Sequence, residues 1–140
     1  MGSRGNVVLD TNVLVSALGW DGPERRVYRL VTRGSLRLLL SRALLEELER
    51  VLHYPKFQLE VGEIRSFVDG VRAAATMLVP RRRLRIITDD PSDNEVLECA
   101  LEGTADWIVS GDHHLLDLES FHHIPIVTAR ELLARLEGTS

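Results

Sequence analysis

Apolar residues in this chain fall into short unbroken runs and into helical stripes, and the two kinds of segment alternate. "VVLDTN", residues 7–12, sets three apolar residues directly before Asp10, Thr11 and Asn12, so Val7–Leu9 predicts a buried strand. An apolar helix is expected from about Asn12 to Leu18. Pro23, after "WDG", suits the first position of a helix that continues through Val31. Leu36–Ser41 ("LRLLLS") predicts a second strand, and Ser41 can cap a helix that runs to His53 and stops before Pro55. Glu63–Ala75 is expected to be helical, with a short strand at Met77–Val79. Ser92 and Glu95 have the spacing of a capping box, and Gly103 is expected to close that helix. Asp106–Gly111 and Ile124–Val127 predict further strands, and Thr128 with Glu131 forms a second capping-box pattern opening the last helix.

Strands separated by helices imply a three-layer α/β/α fold with a mainly parallel sheet of about four to five strands. In such folds sites form beyond the carboxyl ends of the strands, near the point where strand order reverses. Asp10 and Asp112 both follow a predicted strand. Asp, Thr and Asn also favour helix caps and turns, so "DTN" alone fits an ordinary helix start.

Helical periodicity sorts the other acids. At about 100° per residue, Val96, Leu97, Ala100 and Leu101 form one apolar stripe, with Asp93 on its centre line at the first turn. Glu95, Glu98 and Glu102 point the other way. Asp93 can simply complement the helix dipole, or it can lean into a site. In the preceding amphipathic helix, Leu44, Leu45, Leu48, Val51 and Leu52 form the stripe. Glu46 lies opposite it, while Glu47 and Glu49 flank it and can reach a cleft beside the core.

The chain has 140 residues, which suits a single domain over 1–140, and 44% are apolar. No apolar run approaches a membrane span and the N-terminus has no secretory pattern, so no membrane partner and a cytoplasmic location are expected. The only cysteine, Cys99, cannot form an internal disulfide. Net charge is −4, which excludes a generally basic nucleic-acid binder but not one with a local patch; "PRRRLR", Pro80–Arg85, is the densest candidate, and a solvated linker is its plainer reading. Lys56 is the only lysine.

Carboxylates that converge repel one another, so their pKa values rise or a cation sits between them. An all-oxygen cluster without thiolates points to Mg²⁺ or Mn²⁺, ions that activate water and stabilise a leaving oxygen in phosphodiester cleavage. His113–His114 and His122–His123 lack zinc-site spacing and are expected at the surface or in loops. His114, close to Asp112, can touch a substrate phosphate.

The pattern resembles the PIN domain. "VVLDTNVLVSAL" resembles that family's opening strand and helix, "LSRALLEELERVLHYPKF" its second strand and following helix, "DDPSDNEVLECALEGTADWIVSGDHHLL" its later helix, strand and aspartate, and "IPIVTARELL" its ending. The likeness covers nearly the whole chain in the right order, and is greatest to the VapC-like toxin components of prokaryotic toxin–antitoxin systems. It implies a Mg²⁺-dependent endoribonuclease (Mn²⁺ substituting) that cuts single-stranded RNA. It also implies a cognate antitoxin as partner and, with the commonness of two-fold symmetry, a homodimer. Carried over by position, the resemblance assigns the catalytic and metal-binding acids to Asp10, Glu47, Asp93 and Asp112. Thr11, Asn12, Ser110 and His114 become contacts to water or substrate. Many members carry another acid two residues after the last aspartate, where this chain has His114.

Two other readings stand beside it. A PIN fold can hold RNA or protein without cutting, since fold does not fix function. A phosphatase using Asp10 as nucleophile lacks an acid two residues on to act as its acid–base partner.

Overall fold

The computed structural model describes residues 5–87 and 91–138. Asp89 and Asp90, at the head of "DDPSDNEV", lie outside the described residues.

The sheet is built from β1 (Asn6–Leu9), β2 (Arg37–Ser41), β3 (Ala75–Leu78), β4 (Trp107–Val109), β5 (Ser120–Phe121) and β6 (Ile124–Val127), in the order β3-β2-β1-β4-β6-β5. Every pairing is parallel except β5 with β6. β5 adds a short antiparallel edge to the four or five strands the sequence pattern predicts. A two-residue strand carries too little alternation to be read from the sequence. Val7, Val8 and Leu9 are all buried, as are Leu38, Leu39 and Leu40. Successive strand side chains point to opposite faces, so burial of all of them requires cover on both sides. The helices provide that cover.

These helices are α1 (Thr11–Gly19), α2 (Pro23–Thr32), α3 (Arg42–Leu52), α4 (Val61–Ala74), α5 (Pro91–Gly103), α6 (His113–Leu116) and α7 (Ala129–Gly138). α5 lies against β1, β2 and β3, and α3 packs on both α1 and α5. On α3 the predicted stripe is buried at Leu44, Leu48 and Leu52, with Glu46 exposed and Glu47 half-buried. Ser41 Oγ accepts from the Leu44 amide, as its cap position demands. At α7 the reciprocal box also forms: Glu131 N–H donates to Thr128 Oγ1, and Thr128 N–H donates to Glu131 Oε1.

Several boundaries differ from the sequence expectation, and β4 is shorter than the expected Asp106–Gly111. α4 starts at Val61, two residues early, because Glu63 Oε1 accepts from the Glu60 amide and nucleates the turn there. α4 then passes straight into β3, which ends at Leu78 beside Ser41, leaving Val79 exposed. α5 begins at Pro91, a residue well suited to a first helical position. Ser92 is therefore inside the helix, not at its cap. Gly103 does not supply the left-handed residue after α5; Thr104 does, at φ 51°. A Cβ on Gly103 would lie 2.5 Å from Leu39 Cδ1 and 2.6 Å from Leu78 Cδ1. Glycine lets the helix end pack closely on β2 and β3; it does not serve backbone conformation here.

The described part of the chain after β3, residues 79–87, runs along α5 itself. Asn94, Glu98 and Glu102, four residues apart, hold it: Glu102 Oε1 accepts from Arg81 N–H, Glu98 Oε2 from Leu84 N–H, and Asn94 Oδ1 from the Ile86 and Ile87 amides. Glu98 is consequently only 7% exposed, although it lies opposite the apolar stripe as the periodicity requires.

Candidate active site

Sequence order climbs one side of the sheet from β1 through β2 to β3, then returns to the other side of β1 with β4. The reversal therefore falls between β1 and β4, and folds of this kind form their crevice beyond the carboxyl ends of such strands. Asp10 follows β1, and Ser110 and Asp112 follow β4. The β1–β4 register pairs Leu9 with Val109, which sets Asp10 beside Ser110.

Asp10 occupies the cap position of α1, but its carboxylate makes no capping hydrogen bond. Its backbone carbonyl accepts from Val13 and Leu14, and its amide donates to Val109 O at 2.9 Å. The side chain turns across the crevice instead, where Ser110 Oγ donates to Asp10 Oδ2 at 2.9 Å. Ser110 Oγ in turn accepts from the Asp112 amide at 2.9 Å. Asp112 Oδ1 accepts from the His114 amide, also at 2.9 Å. Asp10 and Thr11 are each 7% exposed, Ser110 is buried, and Asn12 stands exposed on the first turn of α1.

Asp93 enters from the first turn of α5 and is 2% exposed. Among the described residues its Oδ2 receives no hydrogen bond, while the carboxylate as a whole does interact with its surroundings. Asp93, Asp112 and His114 each place one ligand atom so that all lie within 4.8 Å of one another. Two carboxylates and an imidazole converging at that spacing fit a single divalent cation. Among the described residues, Asp10 and Glu47 stand outside this mutual group. Asp10 reaches it through Ser110. Glu47, half-buried on α3, forms an ion pair with Arg50, one turn on. Glu46 pairs with Arg42 at 3.3 Å on the exposed face.

Residue spacing alone places His114 at the surface or in a loop, within reach of a substrate phosphate. The structure brings it to the carboxylates, because the four-residue helix α6 is capped by Asp112 and turns the side chain of His114 back beside its own cap. His122 and His123 lie exposed in the turn between β5 and β6, as expected. Asn94 is a positioning residue that helical periodicity does not single out. It holds Ile86 and Ile87 against α5, one residue along from Asp93. The signal that could have found it is the spacing of Asn94, Glu98 and Glu102 on one face, after an arginine run.

An α/β sheet with polar and acidic side chains gathered at its switch point defines the class of this protein. The chain belongs to the PIN domain family, whose sequence profile matches residues 6–114. Its fold is similar to that of a chain in the crystal structure of VapBC2 from Rickettsia felis bound to a DNA fragment from their promoter. That match has 16% sequence identity and a TM-score of 0.59, and covers 86% of this chain and 96% of that one. No curated protein matches the chain in sequence. Among the described residues no helix is long and apolar enough to cross a membrane.

Proposed function

We propose that this chain is a metal-dependent endoribonuclease acting on single-stranded RNA, and the toxin of a toxin–antitoxin pair. The observation that carries the reading is the convergence of Asp93, Asp112 and His114 at the strand-order switch, joined through Ser110 to the buried Asp10. A structural role does not call for two carboxylates brought so close, since each raises the cost of ionising the other. A bound divalent ion removes that cost.

Asp93 and Asp112 would hold Mg²⁺ or Mn²⁺, with Asp10 acting directly or through water. The ion, when bound, lowers the pKa of water and stabilises charge on the leaving oxygen. Ser110 holds the Asp10 carboxylate in one orientation. Glu47 sits on a helix packed against both α1 and α5, which carry Asp10's neighbours and Asp93. It supplies further negative charge or orients the attacking water. Thr11 and Asn12, next to Asp10, would position water or phosphate, and the exposed Arg82 and Arg85 on the strap along α5 would offer cationic contacts to the RNA backbone. An antitoxin protein and a second copy of the chain complete the proposed partners.

The test is cleavage of single-stranded RNA by the purified protein with Mg²⁺, with EDTA, and with Asp93→Asn. Cleavage in the first case alone supports the reading. RNA that binds equally with and without the ion and is never cut overturns it in favour of a non-catalytic binding module.

A further inference from the structure

We infer that His114 is a ligand to the metal, and that it turns this site away from Mg²⁺ toward Mn²⁺. The inference rests on the metal-dependent reading and concerns only which ion the site selects and through which atoms.

A ring nitrogen of His114 lies within 4.8 Å of carboxylate oxygens on both Asp93 and Asp112. Bonds of roughly 2.0–2.2 Å put two opposed ligands of one ion a little over 4 Å apart, so the three atoms can share an ion with only small movements. The backbone holds this arrangement in place. The His114 amide donates to Asp112 Oδ1 at 2.9 Å, and His114 Nδ1 lies 3.7 Å from the same oxygen. His113 packs against the ring on one side, with centroids 4.2 Å apart. The His114 side chain is 32% exposed, so solvent reaches it beside the carboxylates.

Ligand chemistry then separates the ions. Mg²⁺ demands near-ideal octahedral geometry, is held by oxygen and retains its waters. Imidazole is a softer donor that first-row transition ions accept, and Mn²⁺, an ion of that row which carboxylates also hold, tolerates a mixed oxygen and nitrogen set better than Mg²⁺ does. Exchanging one oxygen donor for nitrogen therefore weakens Mg²⁺ far more than Mn²⁺.

The experiment loads the full chain with Mn²⁺ alone and reads nitrogen coupling by electron spin echo envelope modulation. Wild type should show coupling to a coordinated imidazole nitrogen. His114→Gln should lose it while still binding Mn²⁺. His114→Asp, which restores an oxygen ligand, should shift relative affinity toward Mg²⁺ by at least about tenfold, the lower end of the loss caused by removing groups that merely orient a ligand. Bound Mn²⁺ without nitrogen coupling overturns the inference and leaves the metal-dependent reading standing. Coupling that persists in His114→Gln, as it would if His113 were the ligand, does the same. Mn²⁺ binding that Asp93→Asn leaves unchanged, or no Mn²⁺ binding at all, overturns both.

Discussion

Ser110 Oγ donates to Asp10 Oδ2 at 2.9 Å across a hundred positions of sequence. The contact exists because β1 and β4 are adjacent and in register, so the residues leaving their carboxyl ends meet. It explains why a buried strand ends on a carboxylate. Asp10 caps α1 with its backbone and keeps its side chain for the crevice.

Asp10→Asn is expected to reduce RNA cleavage to background while the protein stays folded, because an amide keeps the shape and relieves charge. Ser110→Ala should retain partial activity, lowered by about 10- to 100-fold as for other groups that orient a ligand. It should also destabilise the fold by about 1.5–3 kcal/mol, the usual worth of a hydrogen bond to a charged group. Cleavage rate and thermal midpoint measured together check both. Full activity in Asp10→Asn removes Asp10 from the site.

Glu47→Gln should impair cleavage far more than Glu46→Gln. Glu47 is half-buried on the side of α3 that faces its packed neighbours, and its side chain is 16% exposed; Glu46 pairs with Arg42 in solvent. Rates across a Mg²⁺ and Mn²⁺ series decide the matter, and greater damage from Glu46→Gln would reverse the assignment.

Cys99 should resist alkylation in the folded protein. Burial pushes its thiol up to about 12, so the reactive thiolate is suppressed throughout the neutral and mildly alkaline range. The protonated thiol contributes stability below the unfolded value near 8.5, and that contribution is lost as pH rises through the folded value. Labelling at pH 8 should be slow natively and fast in denaturant. Equal rates would contradict the buried, protonated state.

Gly103→Ala should lower stability by about 1–3 kcal/mol, the usual cost of overpacking a filled core. The new Cβ would press on the methyl groups of Leu39 and Leu78. Denaturant unfolding measures it, and an unchanged midpoint would mean that both leucines move aside freely. The site residues lie at the other end of α5, so nuclease activity per folded molecule should be retained.

Much of the fold was legible in short-range pattern. Leu44, Leu48 and Leu52 repeat with the helical period and are buried on α3; Thr128 and Glu131 have capping-box spacing and cap α7. These outcomes depend on residues within a turn or two, so the sequence contains their cause. The same holds for Asp93, which falls on the apolar stripe of α5 and is buried with it. Glu98 shows where that reasoning stops. Periodicity turns it away from the stripe, yet the chain folds back as a strap and buries it against Leu84. Nothing within α5 encodes that cover.

Local periodicity and strand-end position are set by neighbouring residues, so the elements, the parallel α/β class and the acids able to meet at strand ends could be read from the chain. Which of those acids do meet depends on how distant segments pack. Strand order placed Asp10 beside Ser110, and the short turn of α6 carried His114 to Asp93 and Asp112. Those contacts join residues far apart in the chain, and their geometry depends on sheet register and helix packing, which no single segment specifies.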